Sequence, residues 1–532
     1  MKMLKRITAA VLALTMLLVP LAGCSEKEEC IQPLRIAMAD VPDTFDPAKV
    51  DTDTEKTVVV HLFENLMKLT EGGVVCAQAK SYTCTDNLDG TETYRFVLRT
   101  DIKWSDGKAV TAEDFVYAWQ RLVDPETASP SRDLLNMVAG YELAAEGDPD
   151  ALQVWADDSF TLVVVLNCHC PYFLSSICTA AATMPVRADV VEEENWSMYR
   201  TTLVGNGAYH VTNWVDNKMS VSLAENYYDA KRISAENLEF RFGVLRKAAM
   251  EAYQEGALDV VMESDRTETS QLSYKPEVSL LLVNQMAFTL WYEELRQAMS
   301  LVIDRNAICA SLNESYIPAD GLVPYGTMST EGGDFRDLGG AVIDNVPENY
   351  EANCALALEK LDSIGYSREV IGNLGTITLL HENTPQQTNV AENVQKIWRE
   401  KLGLQVTLKP VGAEDLQSAL ESGEFTIALL TVASDRNDAS AYLKRFSSGN
   451  KENYGMYYSK AYDMLIRVIE SANSLVARDA YMEDAEKMLL QSGYVIPLYN
   501  DTHNWLVRDD LVGALDNGQD AHYFAYVREV KE

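Results

Sequence analysis

The sequence predicts an α/β protein with at least two domains. Its 532 residues exceed what one hydrophobic core usually serves, and an apolar content of 47% is typical of an ordinary globular chain. In the C-terminal half, amphipathic helices predicted at residues 355–364 and 390–402 alternate with apolar strands predicted at 376–380 and 404–410. This alternation indicates mixed sheets flanked by helices.

The first residues have the three parts of an export signal. A basic segment, MKMLKR, precedes an apolar run at residues 7–18 that is too short to span a membrane comfortably. Small residues then stand directly before Cys24, in a pattern similar to the lipobox of bacterial lipoproteins. We therefore predict a lipoprotein signal peptide at 1–23, a lipidated Cys24 and a flexible tether at 24–33. An ordinary signal peptide with an incidental cysteine is the alternative.

The charge of the chain excludes some classes of partner. Cleavage before Cys24 removes three basic and no acidic residues, so the formal charge changes from −35 to −38. Such a surface repels nucleic acid and anionic membranes, and neither is expected as a partner. A pocket can differ from the whole surface, so an anionic or peptide ligand stays possible.

Cysteines and histidines are the candidates for redox or metal chemistry. Beyond Cys24 there are eight further cysteines, namely Cys30, Cys76, Cys84, Cys168, Cys170, Cys178, Cys309 and Cys354. They allow roughly a hundred full pairings, so no disulfide is assigned, and free buried thiols are equally compatible. The run Cys168-His169-Cys170 fits no common zinc spacing and is predicted as buried strand residues, with a metal site as the alternative.

No catalytic motif accompanies these residues. The chain lacks a His-Glu-x-x-His and a Gly-x-Ser-x-Gly motif, and its six histidines show no metal or triad spacing. We therefore expect neither a cofactor nor an enzyme, with a secreted hydrolase as the competing hypothesis.

Residues 94–125 form the most informative stretch of the sequence. A β-rich run at 94–99 predicts a strand, and residues 104–107 (WSDG) predict a tight turn. Thr111, with Asp114 three residues later, is typical of a capping box at the start of a helix. The spacing of the apolar side chains then predicts one buried helix face, which carries Phe115, Trp119 and Leu122.

The sequence of this stretch, WSDGKAVTAEDFVYAWQRLVDPETASP, closely resembles the extracellular peptide-binding proteins of ABC importers. These form the oligopeptide- and dipeptide-binding family, also called solute-binding protein family 5. Further matches are LFENL at residues 62–66, GNGAY at 205–209, LRQAMSLVIDR at 295–305 and IPLY at 496–499. The resemblance covers nearly all of residues 34–515.

The resemblance implies a two-lobed fold of the periplasmic-binding-protein type (Venus-flytrap, class II or cluster C) with an extra accessory domain. It places the lobe I core at residues 34–63, 184–284 and 500–532, the accessory domain at 64–183 and lobe II at 285–499. A strand at 279–290 is expected to cross between the lobes, followed by a helix at 295–305. Single strands are predicted at 157–166 and 209–223.

The resemblance also implies which residues bind the ligand. A buried strand is predicted at residues 425–430, and Asp435 in the loop beyond it aligns with the family aspartate that binds a peptide's N-terminal ammonium. A carboxylate suits that role because it accepts charge-assisted hydrogen bonds. The other candidate contacts are Asp51, Thr52, Asp53, Ser131, Thr431, Val432, Ala433, Ser434 and Tyr499.

Alternatives remain for these candidates. Asp435 also fits a helix-capping or solvent-exposed loop residue, and Asp51 to Asp53 fit a solvated loop. The sequence departs from the family where Ser131 follows a proline in place of an aromatic residue, where Val432 replaces a tryptophan and where Ala439 replaces a proline. These departures predict a cleft that is less aromatic than a typical oligopeptide site.

The function implied by the resemblance is capture of short peptides between the lobes and delivery to an ABC permease and its ATPase. A peptide is expected to add as a β-strand between residues 52–53 and 431–433. The protein is expected to be a monomer, exported and held at the outer face of the bacterial membrane through lipid on Cys24. A non-peptide ligand, such as a nickel complex, a sugar or a signalling peptide, is the alternative within the same role.

Overall fold

The computed structural model of the chain describes residues 33–70, 73–193, 195–330, 333–375, 377–434, 436–472, 475–517 and 521–530. The predicted signal peptide, nearly all of the tether, Cys24 and Asp435 lie outside the described residues. The remaining predictions can be compared with the structure.

Strands supply the framework of the molecule. In chain order they are β1 Leu34–Ala37, β2 Met67–Thr70, β3 Gly73–Cys76, β4 Ala79–Asp86, β5 Glu92–Leu98, β6 Val154–Asp158, β7 Thr161–Leu166, β8 Tyr209–Val215, β9 Lys218–Leu223, β10 Asn237–Arg241, β11 Val260–Val261, β12 Gln271–Val283, β13 Tyr316–Pro318, β14 Ile377–Glu382, β15 Val406–Val411, β16 Ile427–Ala433, β17 Val495–Val507, β18 Leu511–Val512, β19 Leu515–Asp516, β20 His522–Tyr523 and β21 Arg528–Glu529.

Helices cover the faces of these strands. They are α1 Asp53–Leu62, α2 Ala112–Val123, α3 Tyr141–Ala145, α4 Ala188–Val191, α5 Arg246–Gln254, α6 Glu293–Leu301, α7 Arg305–Leu312, α8 Phe335–Gly339, α9 Tyr350–Ser363, α10 Arg368–Gly372, α11 Pro385–Lys401, α12 Ala413–Ser422, α13 Ser440–Lys444, α14 Lys460–Glu470 and α15 Leu475–Gln491.

Two large hydrophobic cores divide the chain. One gathers buried side chains from residues 34–262 and 505–527, and the other gathers them from residues 278–499. We call the parts of the chain around them lobe I and lobe II. Apolar burial is the main driving force for each lobe, so the two lobes are separate packing units. The domain boundaries given above stay a prediction.

A mixed sheet runs through both lobes. Its strand order is β15-β14-β16-β12-β17-β11-β1-β10-β9-β8, and β13 pairs with β17 at the side. Strands β12 and β17, with 13 residues each, extend from one core to the other. The sheet and its flanking helices confirm the predicted α/β class.

The accessory region, which we define as residues 64–183, carries a sheet of its own. This antiparallel sheet has the order β4-β5-β7-β6, and helix α2 packs against it with Phe115, Trp119 and Leu122 buried. At the start of α2 the carboxylate of Asp114 accepts the N–H of Thr111 at 2.9 Å. The predicted strand, turn and helix of residues 94–125 are thus confirmed.

The glycine-rich run GNGAY serves a close backbone approach. A Cβ atom on Gly205 would lie 2.1 Å from the carbonyl oxygen of Leu62, so only glycine fits beside the end of α1. Asn206 then pairs with Glu64, because its Oδ1 accepts the Glu64 N–H at 3.0 Å and its Nδ2 donates to the Glu64 carbonyl at 2.9 Å. The motif therefore fixes helix α1 against strand β8.

Two predicted single strands are wrong, since each is a hairpin. Residues 157–166 include a turn in which Asp158 accepts the N–H of Phe160 at 2.9 Å, between β6 and β7. Residues 209–223 are divided into β8 and β9 at Asp216, whose φ is +50°. Apolar residues stand on both sides of each turn, so the sequence pattern did not reveal that the chain reverses its direction there.

Two further bounds differ from the predictions. The strand that crosses between the lobes is β12, which begins at Gln271 and ends at Val283, so it lies several residues before the predicted 279–290. The predicted helix 295–305 is two helices, because α6 ends at Leu301 and Asp304 caps α7 by accepting the Ala307 N–H at 2.9 Å.

Candidate functional site

The lobes are joined where the ladder between β12 and β17 is interrupted. Tyr274 pairs with Thr502 and Val278 pairs with Asn500, so three residues of β12 stand opposite one residue of β17. Pro276 lies among these three, and proline has no N–H to donate to a ladder. Extra residues on one strand bend it. These residues stand between the segments that form the two cores, so we call residues 275–277 the hinge.

Two adjoining cavities open at this hinge. The first, which we call the Ser434 cavity, measures about 290 Å³. Its wall includes Val50, Asp51, Lys56, Pro130, Ser131, Asp133, Pro276, Ser434, Arg436 and Asn437. The second, the Lys275 cavity, measures about 430 Å³. Its wall includes Asp40, Thr52, Asp53, Arg246, Glu263, Lys275, Ser315, Tyr316, Asp501 and His503.

Residues that are adjacent in sequence line the two cavities. Asp51 lines one and Thr52 lines the other, just as Pro276 lines one and Lys275 lines the other. Residues from both lobes and from the accessory region contribute to the pair. Five of the predicted contacts are therefore brought to adjoining cavities, namely Asp51, Thr52, Asp53, Ser131 and Ser434.

On lobe I the cleft edge is the N-terminus of helix α1. Thr52 caps this helix and Asp53 is its first residue, so Asp53 belongs to the helix and not to a loop. The buried carboxylate of Glu55 accepts four backbone N–H groups at 2.9 to 3.2 Å, those of Asp43, Thr44, Asp51 and Thr52. One side chain therefore fixes the backbone of the predicted contact residues.

Helix α2 supports the same edge from the accessory region. Arg121 donates from Nη1 to Asp46 Oδ1 at 2.9 Å, and Asp46 is 3% exposed. The Asp46 carboxylate in turn accepts the Ala48 N–H at 3.2 Å. The stretch of residues 94–125 thus reaches the cleft indirectly, through this ion pair.

On lobe II the cleft edge is the loop that follows β16. Arg478 donates from both terminal nitrogens to the two carboxylate oxygens of Asp438, at 2.8 and 2.9 Å. It also donates to the hydroxyls of Thr330 and Ser440 and to the carbonyl of Ile469. Burial lowers the pKa of Arg478, but the Asp438 carboxylate outweighs burial, and the pKa lies above its usual value.

Ser434 belongs to this loop and contacts the hinge. Its N–H donates to the carbonyl of Pro276 at 2.8 Å, and its hydroxyl donates to the carbonyl of Arg436 at 2.7 Å. Both neighbours of residue 435 are thus held by the hinge strand and by the loop itself. The role of Asp435 stays a prediction, because that residue lies outside the described part of the chain.

Residues 431–433 were predicted to run off the end of a strand, and they belong to the strand. Strand β16 extends to Ala433, so side chains alternate: Thr431 and Ala433 are exposed while Val432 is 1% exposed and packs in the lobe II core. Val432 therefore presents only its backbone near the cleft. The Thr431 hydroxyl lies 2.8 Å from that of Ser279.

Ser131 and Tyr499 have different surroundings. Ser131 lines the Ser434 cavity, and its N–H donates to the hydroxyl of Ser129 at 3.1 Å. Tyr499 is 2% exposed in the lobe II core, where its hydroxyl accepts from Gln386 at 3.2 Å and its ring lies edge-on to Tyr316. In this conformation the Tyr499 ring lies under the cleft surface.

The Lys275 cavity has an excess of acidic side chains around its lysine. Lys275 Nζ lies 3.3 Å from Asp501 Oδ2. Partial burial lowers the pKa of Lys275, but Asp501, Glu277 and Asp53 outweigh it and leave the pKa above its usual value. The lysine is therefore charged at neutral pH and already paired with an acidic side chain of β17.

Contacts between the accessory region and lobe II were missed by sequence reasoning. Tyr172 accepts from Arg436 Nη1 at 2.8 Å, and Ser176 donates to the carbonyl of Asn437 at 3.0 Å. Nothing in the local sequence pattern identified a partner more than 250 residues away. They hold the lobe II loop against the accessory region.

The run Cys168-His169-Cys170 lies after the end of β7, so the predicted strand placement is wrong. His169 Nδ1 lies 2.6 Å from Glu92 Oε1, and Nε2 lies 3.0 Å from the carbonyl oxygen of Ala472. Within the described ranges there is no group of three or more metal-ligating side chains. The imidazole thus joins the accessory region to lobe II.

The described cysteines are free thiols. They are Cys76, Cys84, Cys168, Cys170, Cys178, Cys309 and Cys354. Burial raises the pKa of Cys309 to about 12 and that of Cys178 far above its usual value, which keeps both thiols protonated and unreactive. The structure therefore assigns no disulfide among these seven.

The fold defines a class: a two-lobed α/β protein with cavities between the lobes, beside the strands that cross between them. Sequence comparison gives the family, since the pattern of the bacterial extracellular solute-binding proteins, family 5 Middle, matches residues 74–454. That range is more than half of the chain. The chain belongs to this family.

Two curated relatives illustrate the similarity. The probable deoxycholate-binding periplasmic protein YgiS of Escherichia coli is 28% identical over 500 residues, which are 91% of this chain and 90% of the relative. The periplasmic murein peptide-binding protein MppA of Escherichia coli is 28% identical over 521 residues, with 94% and 93% covered. Both are named as binding proteins, and this chain is likewise a binding protein and not an enzyme.

Solved structures agree on the fold. The unliganded open form of MppA superposes with a TM-score of 0.82 at 26% identity, covering 95% of this chain and 99% of that one. Haemophilus influenzae OppA in complex with the peptide RPPGFSPFR gives a TM-score of 0.63 at 23% identity, with 94% and 100% covered.

Among the described residues, no helix is both long enough and apolar enough to cross a bilayer.

Proposed function

We propose that the protein captures short peptides in the cleft between the lobes and delivers them to an ABC permease with its ATPase. The observation that carries the proposal is the cavity pair at the hinge, whose walls include five of the residues that the family resemblance implied. Closure of the lobes around a ligand would present both of them to the permease. MppA and OppA, named as peptide-binding proteins, support the ligand class.

Strand β16 supports binding of the peptide as an added strand. In the described part of the chain, β14 pairs with β16 only at Ile427 and Ala428, whereas β12 pairs with it as far as Ala433. The Ser434 N–H points towards β12, so the backbone groups of Thr431 and Ala433 point to the opposite edge. Arg445 donates to the Ala433 carbonyl there at 2.9 Å, and a ligand strand would replace that bond.

For Asp435 we propose that the carboxylate binds the peptide's N-terminal ammonium. Its neighbours Ser434 and Arg436 line the Ser434 cavity, which supports a position at that end of the cleft. A charge-assisted hydrogen bond in a closed cleft contributes more than a neutral one.

Export and anchoring complete the proposal. We propose cleavage before Cys24, lipid attachment to that cysteine, and a monomer held at the outer face of the bacterial membrane. The support is the sequence of the N-terminal region, with its basic, apolar and small-residue parts.

The experiment is calorimetry of the purified mature protein with a pool of di- to pentapeptides and then with single peptides. Asp435→Ala is expected to weaken binding about tenfold or more, because charged hydrogen bonds are each worth about 1.5–3 kcal/mol. Asp415→Ala, an exposed acidic residue of α12, is the matched control and should leave affinity unchanged. Unchanged affinity in Asp435→Ala would remove the ammonium assignment.

Absence of heat and of a thermal shift with every peptide would remove the peptide proposal. Mass spectrometry of material that co-purifies with the protein then distinguishes the alternatives. A bile-acid-like molecule, in line with the name of YgiS, a nickel complex or a sugar would keep the binding role and change the ligand class.

A further inference from the structure

We infer that the ligand carries a bulky apolar group at the end held next to Ser434 and Asn437, and that a large chamber beside the cleft receives it. The inference rests on the proposed function, because it takes the ligand to be a peptide with its N-terminus near residue 435. The chemical class is a peptide with a free N-terminal ammonium and an apolar first side chain.

The chamber lies between the accessory region, the hinge and lobe II. Its volume is about 1010 Å³, more than three times that of the Ser434 cavity. Its apolar wall consists of Met67, Leu69, Val74, Tyr82, Leu174, Leu272, Tyr274 and Met328. These side chains come from three parts of the molecule, so they converge only in the folded protein.

The chamber is continuous with the cleft. Asn437 and Asn517 line both the chamber and the Ser434 cavity. Asn437 is fixed at this boundary, because its Oδ1 accepts the N–H of Met328 at 2.6 Å and its carbonyl accepts from Ser176 at 3.0 Å. A group attached to the end of a ligand in the Ser434 cavity would therefore enter the chamber past Asn437.

A deeper recess opens from the chamber towards the lobe I core. It measures about 60 Å³ and shares Met67, Leu69, Val74 and Met328 with the chamber. Behind them Val60, Phe63, Met184 and Tyr523 add apolar surface, and the paired side chains of Glu64 and Lys68 also line the recess. A recess of this size and lining suits the end of an aliphatic chain or part of an aromatic ring, which leaves water when it binds.

Exposure and charge favour the same occupant. Leu69, Val74, Leu174, Leu272, Tyr274 and Met328 are only half-buried, so the apolar surface meets solvent inside the chamber. The acidic groups of the chamber wall are Asp334 and Asp516, and Asp334 already accepts the N–H groups of Arg336 and Asp337. Covering the apolar wall with an apolar group lowers the free energy, whereas a carboxylate there would meet two acids.

The departures from the family sequence gain a meaning. Ser131 and the buried Val432 remove aromatic surface from one end of the cleft, whereas Tyr274 and Tyr82 supply it in the chamber. Tyr274 is held by a stack on Tyr325 with ring centroids 5.3 Å apart. Apolar recognition is thus displaced from the Ser434 cavity to the chamber beside it.

The test compares peptides of equal composition by calorimetry on the mature protein. Phe-Ala-Ala is expected to bind at least about tenfold more tightly than Ala-Ala-Phe, because its first side chain leaves water when it enters the chamber. Gly-Ala-Ala gives the affinity of a peptide without a first side chain. A tenfold preference for Phe-Ala-Ala supports the inference.

Substitutions locate the preference. Leu69→Gln should remove most of the advantage of Phe-Ala-Ala and leave the affinity for Gly-Ala-Ala unchanged. Leu88→Gln, at a 92% exposed position of the same region, is the matched control and should change neither affinity. Tyr82→Ser, at the exposed rim of the chamber, serves as a second variant that is expected to fold.

Equal affinities of Phe-Ala-Ala and Ala-Ala-Phe, or an advantage that survives Leu69→Gln and Tyr82→Ser, would overturn the inference while peptide binding itself stands. If none of the peptides binds, the proposed function fails first, so the two failures are distinguishable.

Discussion

On lobe I the cleft edge is held by one carboxylate that accepts four backbone N–H groups, whereas on lobe II it is held by a buried ion pair. Glu55 needs no cation, since the N-terminus of α1 and the preceding loop supply its donors. Asp438 and Arg478 satisfy each other and two hydroxyls, in a region from which water is excluded.

The difference predicts how the stability of each edge responds when one of these side chains is substituted. Backbone N–H groups near the surface can turn to water when their acceptor is lost, so the lobe I edge should loosen gradually. In the lobe II core, a charge that loses its partner stays buried and cannot be hydrated. The two edges should therefore differ in how much stability a substitution removes, and the following predictions run from the largest effect to the smallest.

The ion pair gives the largest expected effect. Arg478→Met leaves the Asp438 carboxylate buried without its cation and should lower the free energy of unfolding by about 3–5 kcal/mol, as measured by urea denaturation. The double variant Arg478→Met, Asp438→Leu should recover most of this loss. Lys401→Met, which removes an exposed pair with Glu351, is the control and should cost under about 1 kcal/mol. A single variant as mild as the control would contradict the comparison.

Acid should act on lobe I through His61 of helix α1. Burial lowers its pKa to about 4, and the neutral ring is fixed by the Thr57 carbonyl on one nitrogen and the Phe524 N–H on the other. The unfolded chain binds the proton near pH 6.5 and the folded chain only near pH 4. The contribution of neutral His61 to the free energy of unfolding is therefore fully present above pH 6.5. This free energy falls by about 3 kcal/mol as the pH drops to 4.

The check is urea denaturation of the wild type and of His61→Gln between pH 7 and pH 4. The variant should show a flatter dependence on pH, because it lacks this proton uptake. His210→Gln, at a half-exposed position of β8, is the matched variant, and the difference between the two slopes isolates the buried imidazole. If the free energy of unfolding depends on pH identically in the two variants, His61 in α1 is not the source of the sensitivity to acid.

Loss of the carboxylate at the lobe I edge should have a moderate effect. Glu55→Gln offers one acceptor oxygen in place of two and should cost about 1–3 kcal/mol. Because residues 51–53 lose their anchor, peptide affinity should fall roughly fivefold to tenfold in calorimetry. Glu113→Gln, at the exposed first turn of α2, should leave affinity intact. Affinity loss in both variants would point to a general effect of charge.

The smallest effect is expected at the helix cap. Thr52 accepts the N–H of Glu55 at 3.2 Å, and Thr52→Ala should cost about 1 kcal/mol of stability together with a measurable loss of affinity. Ser459→Ala removes the comparable cap of α14, away from the cleft, and should lower stability alone. Equal peptide affinity in Thr52→Ala and Ser459→Ala would show that the lobe I edge does not contribute to ligand binding.

Sequence patterns predicted the local elements best where a side chain and its partner are close in the chain. The turn at residues 104–107 and the bond from Asp114 to Thr111 were both foreseen for that reason. The hairpins at Asp158 and Asp216 were missed, because alternation looks the same on both sides of a short turn.

Three of the residues that the family resemblance implied, Asp51, Ser131 and Ser434, share a cavity, and their role in binding stays a prediction. The side chains that hold the cleft edges were not predicted. The anchors Glu55 and Arg478 and the contact from Tyr172 to Arg436 depend on burial and on pairs far apart in sequence. Periodicity carries no information about such partners. Val432 shows the same limit, since the strand continued beyond the residues assigned to it.

The interrupted ladder around Pro276 has a consequence for how binding would be sensed. The strand segment that must bend when the lobes approach each other also forms the wall of both cavities, through Lys275 and Pro276. A ligand bound there would restrict the bending of the hinge directly, without a change in the packing of either core. Amide hydrogen exchange at residues 274–278 should therefore slow on peptide binding before any distant part of the molecule responds.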